Sequence, residues 1–60
     1  MEKYLTVQEI QEVLNLGRTK IYELVNQPDF PKVKMGRKIL IPESEFNNFM
    51  KRYLYKTYTF

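Results

Sequence analysis

Arg18, Thr19 and Lys20 open a new apolar repeat directly after Gly17, and a second pair of cations, Arg37 and Lys38, follows Gly36. Guanidinium and ammonium groups placed this way donate hydrogen bonds to anionic oxygens and to acceptor atoms on base edges. Lys32 and Lys34 lie close by in the chain. Residues 18–38 hold six cations (Arg18, Lys20, Lys32, Lys34, Arg37, Lys38) against Glu23 and Asp29, a net charge of +4. Residues 1–17 sum to −2 and residues 39–60 to +1. A positive excess held in the middle third points to a polyanionic partner, though not to a fold.

Catalysis is a poor fit. The sequence has no histidine and no cysteine, which removes the commonest general base, thiol nucleophiles and thiolate metal sites. Ser44 is the one serine and has no histidine to activate it. Glu9 with Glu12, and Glu43 with Glu45, sit in the first turn or two of predicted helices, where solvated carboxylates complement the dipole. A strand-cleaving tyrosine would need histidine and cationic neighbours in a much larger domain. The expectation is therefore no enzyme, no metal and no cofactor.

Sixty residues allow one domain. A domain this small buries only about 60% of the surface its unfolded chain exposes, so the core must be economical. No apolar run approaches the roughly 18 residues of a membrane span, and no targeting segment is visible. A soluble cytoplasmic protein is expected, with no membrane partner.

The elements that would position these cations can be read locally. Thr6 and Glu9 have the spacing of a capping box, and Leu5 and Ile10 that of a hydrophobic staple. Val7, Ile10, Val13 and Leu14 then form one helical face. Asn15 suits a left-handed helix end, and Gly17 is an acceptable N-cap for a second helix with the stripe Ile21, Leu24 and Val25. Two amphipathic helices joined by about three residues make a helix-turn-helix. Pro28 stops the second helix, and Phe30 should plug the core. "KVKMGRKILIP" reads as a hairpin. A three-residue loop, Gly36 to Lys38, would pair Met35 with Ile39 and Val33 with Ile41 and gather four apolar residues on one face. A two-residue loop would reverse that arrangement, so the longer loop is favoured. It leaves Lys32 and Lys34 on the outer side and Leu40 covered by the tail or exposed. Pro42 ends the strand and suits the first turn of a third helix, whose face is Phe46, Phe49, Met50, Tyr53 and Leu54. The fold class is mostly α with a small β-hairpin wing, a three-helix winged helix-turn-helix over residues 1–54 with an aromatic tail at 55–60.

In such a fold the second helix enters the major groove of DNA and its N-terminal residues face base edges. The expected DNA-contacting residues are Arg18, Thr19, Lys20, Tyr22 and Glu23 on the helix, with Asn26 further along. Lys34, Arg37 and Lys38 would contribute from the wing. Arg37 and Lys38 at the tip suit a minor groove or its flanking phosphates. Tyr22 should also support the helix against the wing.

The stretch "LTVQEIQEVLNLGRTKIYELVNQPDFPKVKMGRKILIPESEFNNFMKR" resembles the short excisionase-type helix-turn-helix domains, which are similar to the MerR-type winged-helix fold. The matching features are Leu5-Thr6, the turn "NLGRTKIYELV", the wing "VKMGRKILIP" and the helix carrying Phe46, Phe49 and Met50. The resemblance covers residues 4 to about 52 and departs at Gly17, where such domains often carry Ser. It implies a small architectural factor that binds repeated duplex DNA sites, bends the DNA and helps a tyrosine-type integrase excise a mobile element. The domain itself is expected to be a monomer in solution, with cooperative assembly on DNA left open. Two alternatives stand beside it: a small transcriptional regulator, and a protein-binding antirepressor module on the same fold. The aromatic tail either packs back on the core or, through Tyr55, Tyr58 and Phe60, meets an integrase or a neighbouring copy.

Overall fold

Thr6 starts the first helix as its spacing predicts. Its Oγ1 accepts from the Glu9 N–H at 3.1 Å, while its own N–H donates to Glu9 Oε1 at 2.9 Å. The computed structural model describes residues 2–60. It runs β1 (Tyr4–Thr6), α1 (Val7–Leu14), α2 (Arg18–Val25), β2 (Val33–Met35), β3 (Lys38–Pro42) and α3 (Glu43–Arg52). Three helices and a small three-stranded antiparallel sheet make a winged helix-turn-helix.

Asn15 closes α1 in the left-handed region at φ 55°. The N–H groups of Asn15 and Leu16 donate to the Glu12 and Gln11 carbonyls, the Schellman arrangement that satisfies free helix-end acceptors. Gly17 then caps α2 in an extended conformation without a side-chain hydrogen bond. Ile10, Ile21, Leu24 and Val25 meet Leu5, Phe30, Ile41, Phe46 and Phe49 in a single apolar core. Phe30 is the expected plug, edge-on to Phe49 at 5.1 Å and to Phe46 at 6.3 Å.

Four expectations need correction. Tyr4–Thr6 forms an additional strand that pairs with β3, giving the sheet order β1-β3-β2. The hairpin has the two-residue loop: Met35 faces Lys38, Lys34 faces Ile39 and Val33 faces Leu40. Gly36 takes φ +63°, whereas Arg37 stays out of the positive-φ region, the pattern of a type II′ turn, which matches the twist of its strands. The longer loop rested on both strands burying an apolar face, but β2 is an exposed edge and only Ile41 of β3 is fully buried. Lys34 therefore shares a face with Ile39 and Ile41. Lys32 does not point outward, since its Nζ donates to the Gln27 carbonyl at 3.1 Å.

Two apolar stripes are also narrower than their spacing suggests. Val13 is 67% exposed on α1, and Met50 and Leu54 are exposed near the end of α3. Pro42 serves as the N-cap of α3 and offers no side-chain hydrogen bond. Distant residues fill that role: the Ser44 N–H and Oγ donate to the Glu2 carboxylate at 3.1 and 2.8 Å, and the Glu43 N–H donates to the Lys3 carbonyl at 2.8 Å. The Ser44 hydroxyl and N–H hold the Glu2 carboxyl below its ordinary pKa.

After α3 the chain turns at Tyr55, which adopts φ 64° and is 98% exposed. It then folds back over the molecule. Tyr58 stacks edge-on against Phe49 and Tyr53 at 5.2 and 4.7 Å, and Phe60 lies against Tyr58 at 5.5 Å. Among the described residues no helix is long and apolar enough to cross a membrane.

Candidate nucleic-acid interface

The start of α2 differs chemically from the starts of its neighbours. The first N–H groups of any helix lack intrahelical acceptors. In α1 the capping box answers them, and in α3 Glu43, Glu45 and Glu2 supply carboxylates. In α2 the cap is a glycine and the first turn holds no acid. What remains is a positive dipole end flanked by Arg18, Thr19 and Lys20, all exposed, a combination that favours anionic oxygen.

Successive residues on a helix are about 100° apart, and the buried set Ile21, Leu24 and Val25 fixes which side faces solvent. Thr19, Glu23 and Asn26 lie on the outward stripe. Arg18 and Tyr22 occupy one flank, and Lys20 the other. The wing meets the first of these flanks. Tyr22, 47% exposed, lines a shallow cleft with Arg37, Lys38, Ile39 and Leu40 of the wing and with Thr6, Val7 and Gln8. A second concavity, bounded by Val7, Gln8, Gln11, Arg18 and Tyr22, continues it. The structure thus brings Arg18, Tyr22, Arg37 and Lys38 to one groove, which Val7, Gln8 and Gln11 of α1 also line.

Gln8 and Gln11 were not anticipated as part of this surface. Their signal was available: both are polar positions on the outer face of α1, whose first turn abuts the wing. Lys20 departs from the group. Its Nζ sits 4.8 Å from the centre of the Phe60 ring, on the side of the molecule where the tail is docked. Lys34 is exposed on the edge strand. Of the three tail residues, Tyr55 projects into solvent while Tyr58 and Phe60 are half-buried.

The tail is pinned by Asp29 in the loop after α2. Tyr58 Oη donates to Asp29 Oδ1 at 2.7 Å, and Tyr53 Oη to Oδ2 at 3.3 Å. The bond from Tyr58 holds the Asp29 carboxyl below its ordinary pKa. Burial, and then the same bond, push the Tyr58 phenol up to about 12.

The family of helix-turn-helix domains matches residues 4–53, from the first strand to the residue that closes α3. A protein named "Probable excisionase", from Saccharopolyspora erythraea, is 40% identical over 48 residues, which cover 80% of this chain and 49% of that protein. The chain spans about half the length of this curated relative. No solved structure matches it. With the capped helix pair, the turn between them and the wing all inside the matched segment, this chain belongs to the helix-turn-helix domain family.

Proposed function

We propose that this domain binds duplex DNA as a small architectural factor of the excisionase type, assisting a tyrosine-type integrase at the ends of a mobile element. The observation that carries the reading is the convergence of Arg18, Tyr22, Arg37 and Lys38 on one groove between α2 and the wing. α2 lies in the major groove with Thr19, Glu23 and Asn26 toward base edges, and its start, which has no side-chain cap, faces a phosphate. Arg37, at the tip of a tight turn, reaches the adjacent minor groove or its flanking phosphates. A helix and a wing that hold neighbouring grooves favour bent duplex, because added contacts offset the bending energy. The name of the Saccharopolyspora relative favours excision over promoter control.

The test is a binding titration across salt concentration. With roughly four phosphates neutralised, log K should fall against log salt with a slope of about −3 to −4. A flat dependence would remove the reading. Arg18→Ala and Arg37→Ala should each cost about 1–3 kcal/mol on a cognate site if they read bases, whereas equal loss on all sequences would assign them to phosphates. Recovery of bound genomic fragments separates the roles: element ends support the excision factor, and promoters the regulator.

A further inference from the structure

We infer that Phe60 is a positioning residue for DNA contact, its ring holding the Lys20 ammonium ready for the phosphate strand on the flank of α2 away from the wing. The inference rests on the duplex-binding reading above. A helix lying in a major groove presents one flank to each backbone. Arg18 and Lys20 are two residues apart, about 200° around the helix, and so face different strands. The wing side has Arg18, Arg37 and Lys38; the far side has Lys20.

Ordering lysine's flexible four-carbon stem costs entropy that opposes phosphate binding. Here the Nζ already lies 4.8 Å from the Phe60 ring centre. An aromatic face attracts a cation without neutralising it, whereas a carboxylate in the same place would compete with the phosphate. Lys20 remains exposed, leaving the ammonium's solvent side for an anionic oxygen. Removing conformational freedom before binding raises affinity without a new contact.

The ring itself is well founded. Phe60 rests on Tyr58 at 5.5 Å, Tyr58 on Phe49 at 5.2 Å, and Phe49 on the core plug Phe30 at 5.1 Å. Tyr58 is further tied to Asp29 by its 2.7 Å hydrogen bond. An aromatic column therefore runs from the core to the Lys20 flank, and this gives the end of the tail a definite role in the interface.

The experiment measures duplex affinity for Phe60→Leu, Phe60→Tyr, Lys20→Gln and the Phe60→Leu/Lys20→Gln double variant, with thermal melts to verify folding. Phe60→Leu should weaken binding about two- to fivefold, and Phe60→Tyr should keep it near the parent. In the Lys20→Gln background Phe60→Leu should change nothing further. Lys20→Gln, a surface change that needs no repacking, should also flatten the salt slope by about 1. Equal loss from Phe60→Leu in both backgrounds, no loss, or tighter binding would each overturn the inference, the last by making the tail an occluding element. Arg37→Ala is the gauge of the parent reading. If it weakens binding while Phe60→Leu does not, only the present inference falls; if neither matters, both fall.

Discussion

At Gly36 the backbone sits at φ +63°, and a Cβ built there meets nothing within 4 Å. The cost of a side chain is therefore conformational alone. Gly36→Ala should lower stability by about 1–3 kcal/mol, the usual cost of holding a non-glycine residue in a sparsely populated backbone region, as read from a denaturant midpoint. Gly17, equally open, has an ordinary φ of −68°, so its alanine variant escapes that penalty. Asp29 and Tyr58 set a different prediction. The Tyr58 phenol has its pKa raised from 10 to about 12, so the stability it contributes is complete below pH 10 and is lost as pH climbs through 12. The Asp29 carboxyl is held below its ordinary 3.8, so its contribution is present above that value and is lost in stronger acid. A melting profile against pH should fall at both ends, and Asp29→Asn should lessen both limbs, leaving in acid the part due to Glu2 and in alkali the part due to burial of Tyr58. Such single-residue chemistry was only partly legible in the sequence. Asn15 announced its left-handed turn because that preference is local, whereas nothing near Asp29 in the chain shows that two tyrosines from beyond α3 will reach it.

Local signals also explain which elements could be read. The Thr6–Glu9 box lies within one turn, and Thr6→Ala should cost about 1 kcal/mol, measurable by urea titration. A loss well below that would show that the strand pairing at Thr6 dominates. The strand itself could not be read: three residues become β1 only because Leu40, Ile41 and Pro42 lie across from them. The wing's register was missed for a related reason. An argument from amphipathic alternation assumes both strands cover a core, and β2 is an outer edge that covers none. The Glu2–Ser44 cap, 42 residues apart in the chain, is likewise a product of the assembled fold. In the candidate site, the cation-bearing segments were legible, but their allocation to the two flanks of α2 needed the helix phase and the docked tail.

For the molecule as a whole, the nine buried apolar side chains among the described residues carry the core. A 60-residue domain has about 3–9 kcal/mol of stability in total. Phe30 touches rings of α3 at two points, and Phe30→Ala should cost about 3–5 kcal/mol, enough to leave much of the population unfolded by circular dichroism. A variant that melts within a few degrees of the parent would mean that the tail can repack into the gap. The sheet order carries one more consequence. Leu40 is the single β3 residue with a strand partner on each side, Thr6 and Val33. Beyond that row the hairpin extends as a two-stranded lever, with Leu40 as its fulcrum and Tyr22 alongside as a stop. Thermal swing of the wing should therefore be confined to the segment from Lys34 to Ile39, so the tip can adjust to a varying groove width while its root stays locked to the helices.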